Sequence, residues 1–375
     1  MKKNVAIVVL AVVLLLGATV ATVFYSQDRG NNAKGLYALD AAIAYVDAGG
    51  TSATPKVVDT IEALYEQVYG EPPHKGYTVD DARADAAFWE RYCGYDSIVT
   101  VNEDDTFTVR TQSQGYGAKD VTLPRTDRML SMGTMYMTVA YYLICEKHGV
   151  SPYSSGARDN EALLVEFRNV VAGGTDLAYV EQETELLEYI DRGTYRDAGQ
   201  HTIGNYDRER LADDVSALSA DGSAVMLVGT GRTMDKESYD AYDSIVKGQG
   251  GIGVLFVTAS DIKGSFACIE ALGSVLGYGG HTSSLLERLQ VKLYSVYKSL
   301  EDHAGETHKV YWESSQRNTL GSSGVSKDIM TFFGWDTTLL TQGQVDTEAI
   351  LREKPDVLIF YNADKRPMDE KMRAA

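Results

Sequence analysis

The spacing of apolar and polar positions divides this chain into stretches of different character. Between 36 and 92 apolar residues recur at three- and four-residue steps. That spacing predicts helices over Leu36–Val46, Val57–Val68 and Val79–Tyr92, with Glu71-Pro-Pro-His74 breaking the chain between the last two. Ser97–Val101 and Thr106–Arg110 then read as a β-hairpin turning at Asn102-Glu-Asp-Asp105. From 118 the pattern becomes one of short apolar runs separated by amphipathic segments. Lys119–Pro124 is extended and Arg128–Met132 is a strand. After Gly133, Thr134 is placed to cap a helix with Met137, Ala140, Tyr141 and Ile144 on its apolar side. Helices over Tyr206–Leu218, Ser238–Val246 and Phe266–Leu276 alternate with apolar strands over Ala224–Val228 and Gly253–Val257.

The last third repeats the theme after a long helix. Leu285, Leu289, Leu293, Val296 and Leu300 keep one face apolar from about Leu285 to His303, and Ser284-Leu-Leu-Glu287 has the spacing of a capping box. A helix of that length spans roughly 28 Å, the size of a lobe. Strand Lys309–Trp312, the loop Gly321-Ser-Ser-Gly324, a helix, and a strand within Glu353–Tyr361 follow. The fold class this predicts is α/β: two Rossmann-like lobes with mainly parallel sheets, one long connector helix, and a small N-terminal accessory segment. Ligands of such sheets collect beyond the carboxyl ends of the strands. The loops of interest are therefore Met132–Tyr136, Thr230–Met234, Thr258–Ser260, Glu313–Ser326 and Tyr361–Asp364.

Composition and charge narrow the function. Lys2 and Lys3 precede Val5–Tyr25, an uncharged stretch of roughly 30 Å as a helix, enough to span a bilayer. The expectation is a membrane anchor or a signal peptide over 1–25, with the remainder extracytoplasmic, at the cell envelope or secreted. The net charge of −18 argues against a nucleic-acid partner. Cys93, Cys145 and Cys268 are odd in number and far apart, which argues against a disulfide framework or a thiolate metal site, and Cys145 and Cys268 fall inside apolar helical patterns as small buried hydrophobes. The acidic turn at 102–105 lacks the ligand alternation of a calcium loop and reads as a solvated turn. Gly248–Gly253 imitates a dinucleotide fingerprint but precedes a strand instead of following one. Gly321–Gly324 is not a nucleophile elbow. The six histidines contain no H-x-x-x-H pair, although His201 and His281, both expected in loops, remain possible metal contacts. No acid/base pair can be named, so the expectation is a protein that is not an enzyme and carries no cofactor.

The chain resembles the single-helix-linked substrate-binding proteins of ABC importers, the family that captures ferric siderophores, haem, cobalamin and related metal chelates. The residues carrying the resemblance are Val121-Thr-Leu-Pro124 with Arg128-Met-Leu-Ser131, Asp197-Ala-Gly199, Tyr206–Leu211, the strand at 224–228 and the connector, followed by Val310-Tyr-Trp-Glu313, Gly321–Met330 and Lys354–Ile359. Each motif alone is weak; their order over about 120–365 carries the likeness. The implied organisation is an accessory α+β segment over 30–112, lobe 1 over 118–282, connector over 283–304 and lobe 2 over 305–375, the last either abbreviated or incomplete. The accessory segment has no place in the family pattern. What the resemblance implies is a monomer that captures a metal chelate between the lobes and docks on an ABC transporter permease. Candidate ligand contacts are Met132, Met135, Tyr136, Arg232, Met234, Trp312, Ser322, Ser323 and Tyr361. Arg232 suits an anionic group as a two-pronged donor or is a plain surface arginine, and for Met132, Met135 and Trp312 core packing is the competing role. The alternatives are a sensor or scaffold without a permease, or a chelatase-type enzyme, which would need a histidine and a carboxylate converging on a metal.

Overall fold

The computed structural model describes residues 84, 87–88, 90–180, 184–199, 205–232, 234–301, 308–315, 318–319, 324–335, 343–344 and 347–360. The stretch at 5–25 and the helices expected over 36–68 lie outside these residues. Among the described residues no helix is long and apolar enough to cross a membrane.

The described chain opens with an antiparallel meander, β1 (Val99–Val101), β2 (Phe107–Ser113) and β3 (Gly117–Leu123). The expected hairpin is its first half. Asn102 closes the turn, its side-chain amide donating to the hydroxyls of Thr106 (2.8 Å) and Thr108 (3.0 Å). The extended run at 119–124 is paired along its length with β2.

The chain then builds a wholly parallel five-stranded sheet from β4 (Arg128–Ser131), β5 (Val171–Gly174), β6 (Arg196–Asp197), β7 (Val225–Thr230) and β8 (Gly253–Val257), in the order β6-β5-β4-β7-β8. Its helices are α1 (Thr134–Lys147), α2 (Glu161–Val170), α3 (Arg208–Ser219), α4 (Lys236–Gly248) and α5 (Ile262–Val275). Continuous burial of Val225–Gly229 and Gly253–Val257 matches a sheet covered on both faces. Side chains of Asn160, Asp207, Asp235 and Asp261 accept from backbone N–H groups in the first turns of α2, α3, α4 and α5. Helix α1 differs from expectation: it starts at Thr134, with Gly133 in the capping position and no side-chain cap. All three cysteines are buried and unpaired. Burial pushes the thiols of Cys145 and Cys268 up to about 12, so they pack as small hydrophobes.

The connector, α6 (Gly279–Glu301), starts earlier than the capping-box spacing predicts. Ser284 is not its cap; its hydroxyl donates back to the carbonyl of Gly280 (3.4 Å), one turn before. The pattern misled because α5 ends at Val275 and α6 starts almost at once, on glycines that sequence reading takes for a loop. His281, expected in a loop, consequently lies in the first turn of α6. Leu285, Leu286, Leu289 and Leu293 are buried in the common core. At its base, Arg288 lies 2.6 Å from Glu146 of α1 as an ion pair rather than an aligned hydrogen bond. Beside it Glu166 of α2 accepts from Lys147 (2.8 Å), His148 (2.9 Å) and Tyr278 (2.6 Å). Burial opposes the Glu166 charge, but these donors outweigh it and hold its carboxyl below the ordinary range.

Beyond the connector, β9 (Val310–Ser315), β10 (Asn318–Thr319), β11 (Gly343–Gln344) and β12 (Val357–Phe360) form a second sheet of order β11-β10-β9-β12. Helices α7 (Val325–Phe332) and α8 (Thr347–Glu353) accompany it. The β9–β12 pair is parallel, as expected from the strand entered through Pro355-Asp356, whereas β10 and β11 add antiparallel pairs. Among the described residues the second sheet is therefore mixed.

The approach of α5 to α6 depends on Gly273, where a Cβ would fall 2.0 Å from Thr282 Oγ1 and 2.9 Å from its Cγ2. Gly273→Ala is expected to destabilise the protein by about 1–3 kcal/mol through overpacking. Thr282→Ala in the same chain is expected to recover part of the loss. Chemical denaturation of the two single variants and the double variant measures this, and strictly additive losses would refute a helix contact set by this pair.

Candidate functional site

Strand order marks the place where ligands of parallel sheets generally collect. From β4 the chain moves outward through β5 and β6, then returns to lay β7 on the other side of β4. The carboxyl ends of β4 and β7 thus flank a topological switch point, where the connections diverge and leave a crevice. The loops Met132–Tyr136 and Thr230–Met234 leave from these two ends.

The floor of the crevice is tightly built. Ser131 Oγ donates to the Gly133 carbonyl (2.7 Å), while the Ser131 carbonyl accepts from Thr175 N (2.6 Å) and Thr175 Oγ1 (3.1 Å). Gly174 has φ +127°, and a Cβ there would sit 1.9 Å from the Ser131 oxygen, so only glycine lets the ends of β4 and β5 close in this way. Met132 packs over Gly229 and is 3% exposed. Tyr136 is buried at 4% and donates to the Val257 carbonyl (2.9 Å). Burial, with Cys268 nearby, raises the Tyr136 phenol well above its ordinary value and keeps it a neutral donor.

The nine candidate residues therefore separate. Met132 and Tyr136 form the floor. Met234 is buried, and its carbonyl accepts from Ser113 Oγ, which ties the loop after β7 to the meander. Trp312 is buried in β9, in register with Ile359 of β12, away from the strand ends. Met135 is half-buried in the first turn of α1, and Arg232 is exposed in the turn after β7, where its backbone N–H donates to Thr230 Oγ1 (3.3 Å). Half-buried Thr134 and Thr230 share this rim with them. Ser322, Ser323 and Tyr361 lie outside the described residues, as does His201. Among the described residues no group of three or more His, Cys, Asp or Glu side chains is placed to hold a metal ion.

The two sheets meet beside the loop after β8. Gly324, at the start of α7, lies within van der Waals reach of the Ser260 carbonyl, 3.7 Å from where its Cβ would be. Asp328 of α7 accepts from the backbone N–H of Ile262 (2.9 Å), the first residue of α5, while Asp261 caps the same helix through Gly264 N (2.6 Å). One helix start thus holds two carboxylates, one from each side of the junction. Burial, with Asp261 adding to it against the Ile262 hydrogen bond, raises the Asp328 carboxyl above its ordinary range. Phe88 and residues 90–93 wedge into the same junction. Phe88 stacks on Tyr297 of the connector (4.3 Å between centroids), and Tyr92 meets Phe332 of α7 edge-on (5.2 Å). Gln290 Nε2 and Lys263 Nζ donate to the carbonyls of Cys93 (2.9 Å) and Glu90 (3.0 Å).

Sequence reading missed Asp328, because a carboxylate in the first turn of α7 suits its own helix and gives no sign that it caps another. Phe88 and Tyr92 were visible only as the apolar face of a helix, without a partner.

Comparison with known proteins gives likenesses to solved structures alone. No protein-family model matches the chain, and no curated protein does. It is similar to a periplasmic solute-binding protein from Veillonella parvula, at 15% identity and TM-score 0.46, over 68% of this chain and 70% of that one. It is similar to the haem-binding protein HmuT at 14% identity and TM-score 0.44, over 76% and 79%. A third likeness is to FepB from Veillonella parvula, a TroA-like periplasmic binding protein, at 17% identity and TM-score 0.38, over 64% and 67%.

The pH dependence at the junction follows from the sign of the Asp328 shift. A carboxyl with a raised folded pKa takes up a proton on folding, so its contribution to stability falls as pH rises from the ordinary value of 3.8 through the folded pKa. Asp328→Asn keeps an acceptor for Ile262 N–H and removes the charge. Its stability relative to the unaltered protein is expected to increase as the pH goes from about 4 to 7. Denaturant titrations across that range read the difference, and a gap that narrows or reverses would refute the assignment.

Proposed function

We propose that the protein is an extracytoplasmic binding protein that captures a metal chelate of the ferric siderophore, haem or cobalamin type between its lobes and delivers it to an ABC importer permease. The observation that carries this reading is the single connector. One helix, buried along its first half, joins two α/β units, so the lobes are held with little freedom beside a switch-point crevice. That arrangement suits capture of a large preformed ligand with small-angle closure. Met135 and Arg232 are the described residues proposed to touch ligand, one as a polarisable apolar surface and the other as a forked donor to an anionic group. Ser322, Ser323 and Tyr361 are proposed to complete the site from the second lobe. The stretch at 1–25 is proposed to hold the protein at the membrane surface as an anchor or to serve as its export signal, and the protein is proposed to act as a monomer without enzymatic activity. The proposed division is 30–112, 118–282, 283–304 and 305–375.

Native mass spectrometry of the purified protein after incubation with ferric siderophores, haem and cobalamin tests the reading. The expected result is a one-to-one adduct with one chelate class. For a carboxylate-bearing chelate, Arg232→Gln is expected to weaken binding about tenfold, the worth of a charge-assisted hydrogen bond. A folded sample that forms no adduct with any chelate would overturn it.

A further inference from the structure

A second cavity lies on the opposite side of the first sheet from the lobe junction. It has a volume of about 800 Å³ and runs along edge strand β6, between α2 and α3. The second lobe docks beside the loop after β8, at the other edge, so this cavity shares no element with the junction. Its lining carries four arginines from four elements: Arg128 of β4, Arg168 of α2, Arg196 of β6 and Arg210 of α3. In a chain of net charge −18 such a convergence is not the background expectation.

Three of the four guanidiniums are anchored by carboxylates. Arg128 pairs with Asp221 (2.7 Å), Arg196 with the buried Asp214 (3.3 Å), and Arg210 with Asp197 (2.9 Å). Asp214 is itself fixed by the Tyr206 hydroxyl (2.6 Å). Arg168 differs. Its Nε donates to the Tyr189 carbonyl (3.1 Å), and among the described residues no acceptor pairs with its terminal amino groups. Asp191 is close enough to feel its charge but is engaged by Gly193 N (2.9 Å) and Thr194 Oγ1 (3.1 Å). Asn169 lines the cavity next to Arg168, and its side-chain amide likewise has no partner among the described residues.

We infer that this cavity is a second binding site, for a small polar ligand with one oxyanion head group, a carboxylate or a phosphate, on a hydroxyl-bearing body. The terminal amino groups of Arg168 form the fork that receives the head, with the Asn169 amide beside it. Asp221, Asp214 and Asp197 offset Arg128, Arg196 and Arg210, which leaves the terminal amino groups of Arg168 as the fork open to a ligand. That balance suits a single negative charge and disfavours a polyphosphate, while the carboxylates offer acceptors to ligand hydroxyls. The site is independent of chelate capture at the lobe junction.

Calorimetric titration of the purified full chain with gluconate, glycerol phosphate and inorganic phosphate tests the inference. One saturable site is expected for gluconate or for glycerol phosphate, and the tighter of the two identifies the head group. Arg168→Gln and Asn169→Ala are each expected to weaken it, the former about tenfold or more, and Arg168→Lys by less because the charge remains while the fork is lost. Arg110→Gln, on the exposed face of β2, is expected to change nothing. Thermal midpoints taken alongside separate lost binding from lost folding. No saturable binding of any probe below about 10 mM, or equal binding by folded Arg168→Gln, would overturn the inference.

Discussion

The described strands and helices beyond the connector are placed first of all by how α6 packs in its first half. Leu285, Leu286, Leu289 and Leu293 are buried with the side chains of α1 and α5, so the helix belongs to the first lobe's core before it leaves toward the second. At roughly 25 cal/mol per Å² of apolar surface, each fully buried leucine contributes about 2 kcal/mol. Swinging the second lobe by bending α6 near its base would therefore expose surface that the first lobe needs. The Arg288–Glu146 pair and the Glu166 cluster add polar anchors at the same base. Stiffness is thus a consequence of core packing and needs no separate device.

The junction beyond that base is held by different physics. The start of α5 concentrates unsatisfied N–H groups and the positive end of a helix dipole, worth about half a charge. Asp261 meets it from the preceding loop and Asp328 from α7. Each carboxylate is favourable to the helix, but burial disfavours the Asp328 charge and Asp261 adds to that, which is why Asp328 holds its proton more tightly than an ordinary aspartate. The contact therefore contributes less at neutral pH than its geometry suggests. The aromatic wedge of Phe88 and Tyr92 supplies non-ionic attachment at the same place, through stacking on Tyr297 and an edge-on contact with Phe332.

Much of this architecture was legible because it rests on local pattern. The continuous apolar runs at β7 and β8, the hairpin at 97–110, and the Pro355-Asp356 entry to β12 each appear within a few residues of where periodicity puts them. The misses have physical causes. Strand β5 is Val171-Ala-Gly-Gly174, fused directly to the end of α2, so neither a turn signal nor an apolar run announces it. Its glycines, which lower strand propensity, are there because Gly174 must close on Ser131 of β4 and Gly173 on Arg196 of β6. The start of α6 was displaced for a related reason: Gly279 and Gly280 read as a break, and tertiary packing against α5 overrides that propensity.

The candidate site follows from strand order as a place in the fold, and much less directly as a set of side chains. Strand order is encoded in the alternation of elements, so the loops after β4 and β7 could be singled out without coordinates. Which side chains in those loops face outward depends on register, and a shift of one residue exchanges floor for rim. Met132 and Met135 look alike in sequence, yet the first closes over Gly229 while the second begins a helix turn at the surface. The buried ones still bear on recognition. Met132 and Tyr136 fix the height of the floor against Gly229 and Val257, and that height sets how deeply any ligand can enter. On the proposed reading, selectivity falls to the rim, where Thr134, Met135 and Thr230 are half-buried and Arg232 is exposed above that fixed packing.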